Sequence, residues 1–81
     1  MELKPEVIGE RLKSLRTEKG SSQEEVAEVA GVNVRQYRLY EAGQATPPLD
    51  RVVALVCYFD VSIDYLVGIS ECREVKKYSR L

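Results

Sequence analysis

The apolar positions of this chain recur in short groups with helical spacing. Ile8, Leu12 and Leu15 stand four and three residues apart, which puts one stripe on a first helix, and Lys19-Gly20 supplies a cation and a stop. Ser22 followed three residues later by Glu25 forms a capping box. It opens a second, short helix in which Val26, Ala27, Val29 and Ala30 run to Gly31. After Gly31-Val32, Asn33 is placed to cap a third helix that runs through Tyr40 and Glu41 and stops at Gly43. Pro47 and Pro48 lack backbone donors and fit only at or before a first helical turn, so residues 44–48 are predicted as a loop. A fourth helix, Leu49 to Phe59, follows. Ser62 caps a fifth through Leu66, with Asp64 near the positive end of its dipole and Gly68 as the stop. Sustained strand alternation is absent, so the fold class expected is all-α. The organisation expected is one domain over residues 1–69 and a tail over 70–81, for which a frayed helix, an edge strand and a dimer contact all remain open.

Two short helices joined by a tight turn containing glycine make a helix-turn-helix unit, which needs small residues where the helices touch. Ala27 and Gly31 occupy those places. On a wheel at roughly 100° per residue, Val34, Arg35, Arg38 and Leu39 fall on one side of the third helix and Tyr37 and Tyr40 on the other. The tyrosines are expected to pack inward and the opposite face to meet a partner. Arg35 is the first choice for reading a base, because its guanidinium can donate two parallel hydrogen bonds to O6 and N7 of guanine in a major groove. Arg38, one turn on, is within reach of a base or a phosphate, while Val34 and Leu39 offer apolar contact, for instance to a thymine methyl. Two arginines on a helix face are by themselves equally well read as a solvated surface; the surrounding helix-turn-helix pattern tips the balance. Gln23 opens the second helix, where free N–H groups favour a phosphate, and its amide can brace the reading helix. Arg16 and Glu41 both point partly inward and are expected to form an ion pair.

The fourth helix is apolar nearly all round. Leu49, Val52, Val53, Val56 and Phe59 suffice for a core, which leaves Ala54, Leu55, Cys57 and Tyr58 as a second apolar side. That side, with the fifth helix or the tail, is expected to make an isologous homodimer, the alternative being that the tail folds over it within one subunit.

Composition adjusts this picture. From eighty-one residues one domain with a small core is expected, without a separate ligand-sensing domain. The formal net charge of −1 weighs against nucleic acid unless the cations gather on one face. The first sixteen residues carry scattered charges rather than a secretory pattern, and the longest apolar run, residues 52–59, is too short to cross a bilayer. A cytoplasmic protein without a membrane partner is therefore expected. Cys57 and Cys72 match no metal or redox spacing and read as free thiols, so no metal, cofactor or small-molecule ligand is expected. With no histidine, no phosphate-cradling glycine loop and no nucleophile-base spacing, an enzyme is the weakest reading. A protein-interaction module of antitoxin or anti-repressor type is the stronger rival to DNA binding.

Residues 8–68 closely resemble the phage-repressor and Cro-like (XRE-type) helix-turn-helix family. The arginine of the first helix at Arg16, S-Q-E-E-V-A from Ser22, the A-G-V turn from Ala30, Y-E-A-G from Tyr40, the proline loop and V-S-I-D-Y-L from Val61 stand in register. The resemblance implies a five-helix, lambda-repressor-like domain that binds two-fold operators in double-stranded DNA as a dimer and regulates nearby promoters, with repression the favoured sign. It implies base-side positions for Gln23, Val34, Arg35 and Leu39, joined by Arg38. Ser22, Asn33, Gln44 and Thr46, with Gln36, fall on the phosphate side. Two residues depart from the pattern: Val34 stands where members often carry a glutamine that reads adenine, and Tyr37 replaces a branched aliphatic residue at the inner position. The operator sequence therefore does not carry over.

Overall fold

The structure, a computed structural model, describes residues 3–74. Five helices follow one another: α1 (Pro5–Lys19), α2 (Gln23–Ala30), α3 (Val34–Glu41), α4 (Leu49–Phe59) and α5 (Ile63–Val67). Helix α1 begins a turn ahead of its apolar stripe because Pro5 stands at the first helical position, where its missing N–H costs nothing. Local side-chain chemistry sets the next starts. Ser22 and Glu25 exchange both bonds of the capping box, Asn33 Oδ1 accepts from the N–H of Gln36 at 2.8 Å, and Ser62 Oγ accepts from that of Tyr65 at 3.0 Å. Among the described residues there is no strand.

The core is apolar and drawn from all five helices: Ile8, Leu12 and Leu15 of α1 meet Val26, Ala27 and Ala30 of α2, the rings of Tyr37 and Tyr40, Val52, Leu55 and Val56 of α4, and Tyr65 and Leu66 of α5. Helix α1 runs against α3, α4 and α5, so it is the central strut, while α2 sits between α3 and α4. A close approach sets the α1–α3 crossing. A methyl group on Gly9 would lie 2.6 Å from the carbonyl oxygens of both Tyr40 and Glu41, so only glycine lets the end of α3 touch α1 there.

The expected division of α4 into core and outer residues needs correction. Leu55 is fully buried and cannot belong to a dimer interface, whereas Leu49 is 70% exposed and Val53 44%. Val52, Leu55, Val56 and Phe59, spaced three, one and three apart, form the inward stripe. Tyr58, also expected at the interface, is half-buried and bonded within the chain: its hydroxyl shares a 2.6 Å hydrogen bond with Ser21 Oγ, and Lys19 Nζ lies 4.8 Å from its ring centroid. Cys57 is exposed and Ala54 half-buried.

Residues 70–74, the described part of the tail, are neither helix nor strand and lie against α1 and α5 rather than over α4. Arg11 donates to the carbonyls of Tyr65 and Ser70, Ser62 N–H donates to Arg73 O at 2.9 Å, and Arg73 pairs bidentately with Glu18 at 2.9 and 2.8 Å. The Arg11 and Arg73 guanidinium carbons lie 4.2 and 5.2 Å from the Tyr65 ring centroid. The expectations for residues 75–81 lie outside the described residues.

Candidate nucleic-acid interface

Burial of Tyr37 and Tyr40 orients α3. Their rings meet edge to face, with centroids 6.3 Å apart, on the side turned to α1 and α2. At roughly 100° per residue, the direction opposite those rings passes through Arg35, flanked by Arg38 and Leu39. Arg35 and Arg38 are exposed accordingly; Leu39 is half-buried, and Val34, at the edge of the face, leans partly on the core. Among the described residues Arg35 has no side-chain hydrogen bond or ion pair that would occupy its five donors.

Behind this face lies a polar network centred on Glu41. Arg16 Nε donates to Glu41 Oε2 at 2.6 Å and Arg16 Nη2 to Oε1 at 3.2 Å, in a fork-to-carboxylate pair whose side chains are 17% and 5% exposed. The Tyr37 hydroxyl donates to Oε2 at 2.6 Å and Gln23 Nε2 to Oε1 at 3.1 Å. Burial pushes the Glu41 carboxyl upward, but the combined hydrogen bonds from Arg16, Tyr37 and Gln23 outweigh it and hold the group below its ordinary value. The bond to Glu41 keeps Arg16 charged, and burial, together with that anion, pushes the Tyr37 phenol well up, so it stays a neutral donor.

Gln23 joins this network to the exposed face. Its Oε1 accepts from Arg38 Nε at 3.1 Å while its Nε2 serves Glu41. The reverse amide orientation would set oxygen against carboxylate and N–H against guanidinium, so the neighbours fix which way it points. Arg38 is thereby held beside α2, with Glu24 Oε2 3.8 Å from its Nη2; both side chains of that pair are more than half exposed, and the attraction is weak.

An open groove of about 590 Å³ runs between α1, the start of α2 and α3. Lys13, Arg16 and Arg38 line it against the single carboxylate of Glu41, already taken up by Arg16, so the cations do gather despite the net charge of the chain. Ser22 and Gln23 form one wall. Ser22 Oγ and Asn33 Oδ1 are used as cap acceptors, which leaves the hydroxyl proton of one and the amide donors of the other to face outward. Gln36 is half-buried on the flank of α3, and Gln44 and Thr46 are exposed in the loop before α4. Sequence reasoning missed Lys13, although its place three residues before Arg16 on the same helix could have found it. It also missed Arg51, whose contact with α2 has no local signature.

A pair of short helices crossed at a glycine turn, with one presenting arginines, defines a helix-turn-helix domain, and comparison with known proteins agrees. The family model described as Helix-turn-helix matches residues 12–66, and the chain belongs to that family. It is 39% identical over 62 residues to an uncharacterized HTH-type transcriptional regulator, YobD, of Bacillus subtilis, a match covering 76% of this chain and 55% of that protein. It is 37% identical over 65 residues to the cryptic phage CTXphi transcriptional repressor RstR of Vibrio cholerae, covering 80% of this chain and 59% of that one. The chain thus spans little more than half the length of these curated relatives. Its fold matches that of the P22 c2 repressor, solved in complex with a synthetic operator, with a TM-score of 0.74 at 23% identity over 79% of this chain and 97% of that one. The five helices are accordingly those of a lambda-repressor-like domain.

Proposed function

We propose that this protein is a sequence-specific DNA-binding transcriptional regulator, a cytoplasmic repressor, that reads the major groove of double-stranded DNA with α3. One observation carries the reading: Arg35 and Arg38 stand exposed on the side of α3 opposite the buried tyrosines, and Arg38 lines a groove together with Lys13 and Arg16. The relatives named as transcriptional regulator and repressor support it.

In this reading Arg35 donates its fork to a guanine, and Arg38, aimed by Gln23, takes a neighbouring base edge or phosphate. Val34 and Leu39 supply apolar contact to base edges. Lys13 and the remaining donors of Ser22, Asn33, Gln36, Gln44 and Thr46 hold flanking phosphates, which fixes register without carrying sequence. A second copy of the chain docks on the outer side of α4, through Leu49, Val53, Ala54 and Cys57, so that two reading helices meet half-sites about 34 Å apart.

The test is selection from a random duplex pool, repeated with Arg35→Ala. The parent is expected to enrich a palindrome with log affinity falling steeply against log salt, and the variant to lose about 1–3 kcal/mol of preference at one symmetric G·C pair. Recovery of no motif by the parent would refute DNA reading. An unchanged motif in the variant would refute the role of Arg35.

A further inference from the structure

Helix α2 is fastened to α4 at both ends by polar ties outside the groove. At its C-terminal end the carbonyls of Ala27 and Glu28 accept backbone N–H bonds from Val32 and Gly31, at 3.0 and 3.1 Å. The carbonyl of Ala30, the last residue of α2, instead accepts from Arg51 Nη1 at 3.1 Å. A cation there also opposes the negative end of the helix dipole. The guanidinium passes directly over the turn: a methyl group built on Gly31 would lie 2.6 Å from Arg51 Nη1. Gly31, with φ of +75°, is thus favoured for its left-handed conformation, and its bare α-carbon leaves room for the guanidinium in this position. At the other end Tyr58 OH and Ser21 Oγ share their 2.6 Å hydrogen bond immediately before the Ser22 cap. Ser21 is held from its other side by Arg16 Nη1, which donates to its carbonyl at 3.2 Å.

Arg51 and Tyr58 stand seven residues apart on α4, two turns and about 10.5 Å along its axis, close to the roughly 12 Å length of the eight-residue α2. The match in length is what lets one helix grip both ends of the other. We infer that α4 is a splint for α2, and that Arg51 and Tyr58 are positioning residues that fix the turn leading into the reading helix. Neither needs to touch DNA for this role. The inference rests on the DNA-reading function proposed above and adds to it residues on a helix that does not read. Its physical content is that α2, only eight residues long and carrying Gln23, has too little length to hold its own axis. A tilt of α2 moves the brace under Arg38 at one end and the start of α3 at the other.

The experiment compares Arg51→Met, Arg51→Lys and Tyr58→Phe with the parent, well below their melting temperatures and with helicity checked by circular dichroism. Affinity for the selected operator and for a scrambled duplex is titrated across salt concentrations. Arg51→Met and Tyr58→Phe are each expected to weaken operator binding about tenfold, the equivalent of one hydrogen bond. Binding to the scrambled duplex and the salt slope stay unchanged, and Arg51→Lys, which can still donate to Ala30 O, recovers most of the loss. Equal losses on both duplexes, with the slope reduced by about one in Arg51→Met, would make Arg51 a phosphate contact and overturn the splint. Unchanged operator affinity in folded variants would overturn it as well. A parent that prefers no duplex would instead sink the DNA-reading function itself.

Discussion

Glu41 is the residue that ties the proposed reading face to the core, because four donor bonds from three side chains converge on one carboxylate whose side chain is 5% exposed. Removing one partner of such a pair leaves the other desolvated and unpaired. Glu41→Ala is therefore expected to destabilise the fold by about 3–5 kcal/mol, read as a fall in the urea midpoint, and melting equal to the parent's would show that the pair contributes nothing. The same site sets the pH dependence at both limbs. The folded Glu41 carboxyl lies below its ordinary value, so at falling pH the unfolded chain binds the proton first. The stabilisation is present above the unfolded value, about 4.3, and is lost as pH drops through the folded one. For Tyr37 the folded value is raised, so its contribution is complete below the unfolded value of about 10 and declines as pH rises beyond it. Unfolding midpoints measured from pH 3 to 11 should fall at both extremes, the acid limb flattening in Glu41→Gln and the alkaline limb in Tyr37→Phe. The pair itself was legible in the sequence, since Arg16 and Glu41 both border apolar stripes. The additional bonds from Tyr37 and Gln23 were not, because they depend on how three helices meet.

At the scale of elements the helices were legible wherever their ends carry local chemistry: Ser22, Asn33 and Ser62 form the cap bonds expected of them, and Gly20, Gly31 and Gly68 end helices in the left-handed conformation. Helix α4 shows where that legibility ends. It is apolar nearly all round, so hydrophobic period could not say which side faces inward, and packing against α2 and α5 decided for Leu55 over Leu49 and Val53. The ties made by Arg11, Arg51, Tyr58 and Arg73 span from 21 to 60 residues and leave no periodic mark. Gly9 is a further case in which local and tertiary preferences conflict. Inside α1, alanine is favoured over glycine by about 1 kcal/mol, yet its methyl group would meet two backbone oxygens of α3 at 2.6 Å. Backbone at a helix end cannot swing aside as a flexible side chain can, so the steric effect wins. Gly9→Ala is expected to lose about 1–3 kcal/mol net and to shift the end of α3, lowering both melting temperature and operator affinity. A more stable variant would show that the crossing can open at little cost.

At the scale of the molecule, an apolar surface on α4 has no partner among the described residues. Leu49, Val53 and Cys57, four residues apart, form one outward stripe on α4, and Ile63 of α5 and Ile69 just beyond it are 39% and 51% exposed. Exposed apolar residues aligned in this way mark an interface more often than bare solvent contact. A two-fold axis through the stripe would bring each Val53 near its own copy, since an isologous contact sets like against like. A single charge introduced there is then felt twice, as burial of each carboxylate and as repulsion between them. Val53→Glu is accordingly expected to convert a dimer to a monomer at micromolar concentration in sedimentation equilibrium. Its side chain is partly exposed in the single chain, so the folded monomer should keep its helicity, although the concentration dependence of melting seen for a dimer disappears. Affinity for a palindromic duplex should drop towards that for one half-site, with the preference at the Arg35-read base pair intact. A parent that sediments as a monomer both free and on a palindrome would place the two-fold axis elsewhere or remove it.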